Sequence, residues 1–90
     1  MIKEKQENSD SPSDLLNTGK ELVLYNDDIN TFDFVISTLI EVCHHQPEQA
    51  EQCAFVAHSK GKCGVKNGDI SELKPLHSEM NNRGLITTIE

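Results

Sequence analysis

Three short polar side chains, Asn26, Asp27 and Asp28, directly follow the strand-forming residues 22–25. A helical apolar pattern begins a few residues later, at Phe32. A strand that ends in amide and carboxylate oxygens places hydrogen-bond acceptors at a fixed edge of the core. Such an edge suits the binding of a cationic group with an apolar attachment. These residues therefore favour a binding module over an enzyme.

His58 is the second candidate for binding, because it lies near Ala54 and Ala57 on the apolar face of a predicted helix. A single histidine on such a face is more often a core residue than a binding group. Residues 26–28 can likewise be turn residues that hydrogen bond to their own backbone. From the residues alone, both explanations stay open.

Metal binding and thiol chemistry fit the pattern less well. The acidic loop lacks the central glycine and the last glutamate of an EF-hand. No CxxC or HxxxH spacing of a zinc site occurs, and no cysteine has an obvious general base. We therefore expect no metal and no cofactor, with the three cysteines as small core residues. A small metal or thiol enzyme is the alternative from a different class, and it would use Cys43, His44 and His45.

Composition limits the partners and the location of the chain. Its net charge of −7 argues against nucleic acids and anionic membranes. No apolar run predicts a membrane span or a signal peptide, and an odd number of cysteines suggests free thiols. We therefore expect a cytoplasmic protein without catalytic activity. Residues 1–20 are polar and predict a disordered extension, which leaves 21–90 as one small domain.

The apolar periodicity predicts the order βααβαβ. This order indicates an α+β fold in which three helices cover one face of a small, three-stranded, mostly antiparallel sheet. The predicted strands are 21–25, 62–66 and 85–89, and the predicted helices run from 32 to about 43, from 47 to 60 and from about 72 to 83.

Capping residues set the predicted ends of the helices. Asn30 or Thr31 is expected to cap the first helix, and Gly61 to close the second. For the third helix we prefer Ser71 over Asp69 as the N-cap, because Pro75 then lies in the first turn.

Three motifs resemble the ClpS family, whose members are bacterial adaptors. The motifs are Leu-Val-Leu-Tyr-Asn-Asp-Asp at 22–28, Phe-Asp-Phe-Val-Ile at 32–36 and Ala-His-Ser-Lys-Gly-Lys-Cys-Gly-Val at 57–65. Adaptors of this family hand proteins with destabilising N-terminal residues to a Clp unfoldase and its protease. The resemblance covers residues 21–90 and implies the same βααβαβ fold.

By this resemblance, Asn26, Asp27 and His58 bind the α-ammonium group of the first residue of a target. An ammonium group has three donors, and these side chains can supply three acceptors. The bulky side chain of that residue (Leu, Phe, Tyr or Trp) would enter a pocket lined by Leu24, Asn30, Phe32, Ala54, Ala57 and Leu85.

The resemblance also implies a surface for the unfoldase. Asp69 and Lys74 would contact the N-terminal domain of a Clp AAA+ unfoldase of the ClpA or ClpC type. The extension 1–20 would serve as the flexible arm in delivery, and the adaptor would be a monomer.

The chain departs from the usual family pattern at the pocket. Phe32 is larger and Ala54 smaller than the methionines common at these positions, and two residues are missing between Lys62 and Cys63. The side-chain preference is therefore open. An alternative within the same fold is a regulator of the unfoldase that no longer recognises N-termini.

Overall fold

The order βααβαβ is confirmed in the computed structural model, which describes residues 19–90. The predicted N-terminal extension lies outside the described residues, apart from its last two. The elements are β1 Lys20–Tyr25, α1 Phe32–Cys43, α2 Pro47–Lys60, β2 Lys62–Gly68, α3 Ile70–Asn82 and β3 Ile86–Ile89.

The sheet has β1 at its centre, in the strand order β2-β1-β3. Both pairings are antiparallel. A mostly antiparallel sheet was predicted, and within residues 19–90 the sheet contains no parallel pair. Tyr25, the last residue of β1, is opposite Lys62 on one side and Ile86 on the other. The chain therefore leaves the sheet at Asn26 from a point that is held on both sides.

The core lies between the sheet and the helices. Leu22 and Leu24 are two residues apart on β1 and are both almost fully buried, as expected for side chains on one face of a strand. Five of the six elements contribute buried apolar side chains to the core, and Ile89 of the sixth, β3, packs against them. Among residues 19–90, no helix is long and apolar enough to cross a bilayer.

The helix ends next to β1 follow the predicted capping pattern. Thr31 caps α1, since its hydroxyl accepts a hydrogen bond from the N–H of Phe34 at 3.1 Å. Gly61 ends α2 with a φ of 96° and donates its N–H to the carbonyl of Ala57. The carbonyl of Gly61 in turn accepts a hydrogen bond from the N–H of Asn26 at 2.9 Å. This bond holds the end of β1 against the end of α2.

The predicted N-cap of α3 is wrong: it is Asp69, not Ser71. The Asp69 carboxylate accepts a hydrogen bond from the N–H of Glu72, and the Glu72 carboxylate accepts one from the N–H of Asp69. This reciprocal pair satisfies two N–H groups at the helix start. Pro75 consequently lies inside the helix, where it leaves the Ser71 carbonyl without its usual partner. Ser71 is exposed, so water can donate to that carbonyl.

Two strand ends also differ from the prediction. β2 continues to Gly68, so residues 67–68 pair with β1 and do not form a turn. β3 begins at Ile86 and not at Leu85, whose side chain packs into the core.

Candidate functional site

A cavity opens where the end of β1 and the loop after it meet α1 and α2. Its empty volume is about 370 Å³, counting the solvent at its mouth. The cavity is lined by Leu24, Tyr25, Asn26, Asp27, Asn30, Phe32, Val35, Ala54, Ala57 and His58.

Eight of the nine residues predicted to bind a target lie around this cavity. The exception is Leu85, which is 3% exposed and belongs to the core. Two lining residues were missed by the sequence analysis, Tyr25 and Val35. Val35 is one helical turn after Phe32, so the helical period could have indicated it.

The Asp27 carboxylate organises the loop at the mouth of the cavity. Its Oδ1 accepts hydrogen bonds from the N–H groups of Ile29 and Asn30, each at 2.8 Å, and its Oδ2 accepts one from the Asn30 amide at 3.0 Å. A carboxylate can accept about four hydrogen bonds. Among residues 19–90 these are the only donors to Asp27, so Oδ2 can accept one more.

The same hydrogen bonds favour the ionised form of Asp27. Partial burial alone would raise the pKa of this carboxyl. The hydrogen bonds from Asn30 and Ile29 outweigh that effect and hold the pKa below its usual range. The cavity mouth therefore carries a fixed negative charge.

Asn30 ties the loop to the rest of the fold. Its side-chain amide donates to the Asp27 carboxylate and also to the carbonyl of Gly84, both at 3.0 Å. Gly84 lies in the turn between α3 and β3 and has a φ of 90°, a conformation that glycine adopts readily. Asn30 thus positions Asp27 in addition to lining the cavity.

His58 and Phe32 stand at the mouth of the cavity. Their rings pack edge to face, with centroids 5.3 Å apart and an interplanar angle of 61°. Both side chains are exposed, Phe32 by 44%. In the part of the chain that the structure describes, neither the His58 imidazole nor the Asn26 amide has a hydrogen-bond partner. An incoming ligand can therefore use both groups.

The cavity as a whole is polar at its mouth and apolar inside. The carboxylate, amide and imidazole of Asp27, Asn26 and His58 line one part of it. Leu24, Ala54 and Ala57 form the inner wall and are between 2% and 4% exposed. This arrangement can hold a small molecule or a chain end that is cationic on one side and apolar on the other.

The other candidate residues lie away from the cavity. Asp69 caps α3, and Lys74 is exposed on the same helix. Cys43 is in the core, and His45 is buried with its Nε2 2.7 Å from the carbonyl of Val65. Within residues 19–90, no three histidine, cysteine or acidic side chains come close enough to hold a metal ion.

Comparison with known proteins identifies the family to which this chain belongs. The family model for the ATP-dependent Clp protease adaptor protein ClpS matches residues 20–87. The ClpS adapter protein of Nitratidesulfovibrio vulgaris (strain DSM 19637 / Miyazaki F) is 40% identical over 55 residues, which are 59% of this chain and 55% of that protein. The chain thus matches about half the length of this relative.

A longer match is to the ClpS adapter protein of Xanthomonas oryzae pv. oryzae (strain MAFF 311018). It is 33% identical over 76 residues, covering 78% of this chain and 72% of that protein. Among solved structures, Agrobacterium tumefaciens ClpS2 bound to L-phenylalaninamide has the same fold, with a TM-score of 0.67 and 22% identity over 79% of this chain and 93% of that one. The family model covers most of the chain, and the chain therefore belongs to the ClpS family of Clp protease adaptor proteins.

Proposed function

We propose that this chain binds the N-terminal residue of substrate proteins and delivers them to a Clp AAA+ unfoldase. The preferred first residues are the bulky Leu, Phe, Tyr and Trp. The observation that carries the proposal is the cavity itself. An ionised carboxylate stands at the mouth of an apolar recess, together with two polar side chains that have no hydrogen-bond partner within residues 19–90.

The mouth of the cavity suits an α-ammonium group. Asp27 supplies the negative charge and one remaining acceptor site on Oδ2. The Asn26 amide oxygen and a neutral His58 nitrogen supply the other two acceptors. Acetylation of the N-terminus removes both the charge and donors, so only a free N-terminus should bind.

The interior of the cavity suits a bulky apolar side chain. Burying a leucine or phenylalanine there contributes roughly 1.5–3 kcal/mol, and the charge-assisted hydrogen bonds add roughly 1.5–3 kcal/mol. Together these terms supply roughly 3–6 kcal/mol before the costs of ordering are subtracted, which corresponds to a Kd no tighter than about 40 μM. The solved ClpS2 of Agrobacterium tumefaciens is bound to L-phenylalaninamide, which combines a free α-amino group with a phenyl side chain.

Delivery would involve the start of α3. We propose that Asp69 and Lys74 contact the N-terminal domain of an unfoldase of the ClpA or ClpC type, with the adaptor acting as a monomer. Lys74 is exposed and is free to do so in the described part of the chain. Asp69 also caps α3, so substitutions there affect the helix as well as the surface.

Peptides that differ only in their first residue test the proposal. We expect fluorescence polarisation to show binding of peptides that start with Leu, Phe, Tyr or Trp, and at least tenfold weaker binding of those that start with Val or Arg. An acetylated Leu peptide should not bind. Equal binding across the series would contradict the proposal. Absence of all binding would favour the regulator that no longer recognises N-termini.

The pH dependence of binding tests the part of His58. A neutral imidazole can accept a hydrogen bond from the ammonium group whereas a protonated one cannot, so binding measured at pH 5 should be roughly 3- to 10-fold weaker than binding measured at pH 7. Asp27 stays ionised over this range, because its pKa is lowered from 3.8. The His58→Gln variant, which keeps a neutral acceptor, should lose this pH dependence. A pH-independent affinity in the unmodified protein would assign His58 a different role.

A further inference from the structure

Two cysteines face each other on the side of α2 that packs against β2. The Sγ of Cys53, on α2, is 2.8 Å from the Sγ of Cys63, on β2. A disulfide bond is about 2.05 Å long. The two sulfurs are therefore less than 1 Å from bonding distance in the reduced protein.

The two thiols have few other polar neighbours. Besides one another, the only polar atom within hydrogen-bonding distance of either sulfur in residues 19–90 is the carbonyl oxygen of Gly64, 3.6 Å from Cys53 and 3.5 Å from Cys63. Cys43, the third cysteine, is in the core and has no such thiol partner in the described chain.

Solvent can reach this pair. Cys53 is 5% exposed, whereas Cys63 is only partly buried. An open groove of about 520 Å³, counting the solvent at its mouth, is bordered by both cysteines together with His45, Gln49 and Val56. A small oxidant can therefore approach Cys63 without unfolding of the domain.

We propose that Cys53 and Cys63 form a reversible disulfide that joins α2 to β2, with a small-molecule disulfide such as glutathione disulfide as the oxidant. The Cys63 thiolate attacks one sulfur of glutathione disulfide and releases one glutathione, which takes up the proton lost by Cys63. The Cys53 thiolate then attacks the Cys63 sulfur and releases the second glutathione, which takes up the proton lost by Cys53. Two protein thiols are oxidised and one small disulfide is reduced to two thiols.

The order of these two steps follows from the environment of each thiol. Burial raises the pKa of Cys53, and the hydrogen bond and negative charge of Cys63 raise it further. Cys53 is thus a poor first nucleophile. Once Cys63 carries a glutathione, its thiolate charge no longer opposes ionisation of Cys53, whereas burial and the weaker effects of Cys43 and Glu21 remain. Cys63 therefore reacts first, and Cys53 resolves the mixed disulfide.

The proposed bond is independent of ligand binding, and thiol counting tests it directly. The full chain is equilibrated with excess glutathione disulfide, denatured in acid, and its free thiols are counted. We expect one of the three thiols to remain, and mass spectrometry should map it to Cys43. Because the bond closes a loop and so restricts the unfolded chain, the oxidised protein should unfold at a temperature about 10–20 °C higher.

Two variants serve as controls. Cys63→Ser should keep both of its remaining thiols free. Cys43→Ala should lose both of its remaining thiols, because Cys53 and Cys63 form the same disulfide as in the unmodified protein. Three free thiols in the oxidised unmodified chain would overturn the proposal. So would glutathione retained on Cys63, or a disulfide between two chains on a non-reducing gel.

Discussion

Replacement of Asp27 by asparagine should weaken the binding of a peptide that starts with leucine by about 10- to 150-fold. The reason is the loss of the negative charge at the mouth of the cavity, since a hydrogen bond to a charged group contributes about 1.5–3 kcal/mol. Asparagine has nearly the same shape and keeps an oxygen that can accept from the N–H groups of Ile29 and Asn30. Fluorescence polarisation with the Leu peptide, alongside a thermal melt, measures the effect.

Two variants separate the charge from other effects of this substitution. Asp28→Asn removes the same charge from the neighbouring residue, which is exposed and does not line the cavity. We expect it to change the affinity by less than about threefold, because exposed charges are screened by solvent. A loss as large as that of Asp27→Asn would mean that the general field of the loop attracts the peptide, and not one carboxylate.

Asn30→Ala provides the second control. Asparagine at position 27 would turn an N–H group toward the Asn30 amide, so the Asp27→Asn variant also loses the hydrogen bond from Asn30. Asn30→Ala loses this bond and the one to Gly84, but keeps the charge. It should bind more tightly than Asp27→Asn. If it binds as weakly, the position of the loop decides affinity and the charge does not.

Most of the fold could be predicted because local patterns agree with the final packing. The apolar period of residues 32–43, the N-cap Thr31 and the C-cap Gly61 each indicate the same helix ends that the structure has. The third helix was harder, because two local signals compete there. Pro75 favours a late start, while the reciprocal hydrogen bonds of Asp69 and Glu72 favour an early one. Two satisfied N–H groups outweigh one unpaired, exposed carbonyl.

Contacts between distant parts of the chain could not be predicted in the same way. The hydrogen bond from Asn30 to Gly84 joins residues that are 54 positions apart, and no periodicity indicates it. Leu85 was placed in the pocket by resemblance; it belongs to the core, as Leu24 does, but is not among the residues that line the cavity. The pairing of Cys53 with Cys63 likewise depends on how α2 packs on β2. Sequence patterns identify which residues surround the cavity better than they identify which atoms are already hydrogen bonded.

Replacement of Ala54 by leucine should remove the preference for bulky first residues. Ala54 is 4% exposed and lies in the inner wall of the cavity, so the larger side chain occupies the space that a first residue would enter. Loss of that burial, about 1.5–3 kcal/mol, should weaken the binding of Leu, Phe and Trp peptides about 10- to 150-fold. A peptide that starts with alanine should change little, so the ratio of its Kd to that of the Leu peptide falls toward one.

The matched control for this substitution is Gln49→Leu, which introduces the same side chain at an exposed position of α2 outside the cavity. It should leave both affinities unchanged. Extra carbon atoms in a packed wall can cost about 1–3 kcal/mol of stability, so thermal melts must show that the Ala54→Leu protein is folded at the assay temperature. A folded variant that still prefers Leu and Phe would show that the first side chain binds elsewhere. Suppose instead that the folded Ala54→Leu variant still binds peptides with a free N-terminus, but not acetylated ones. That result would show that the carboxylate at the mouth and the apolar wall contribute separately, because only the wall has been changed.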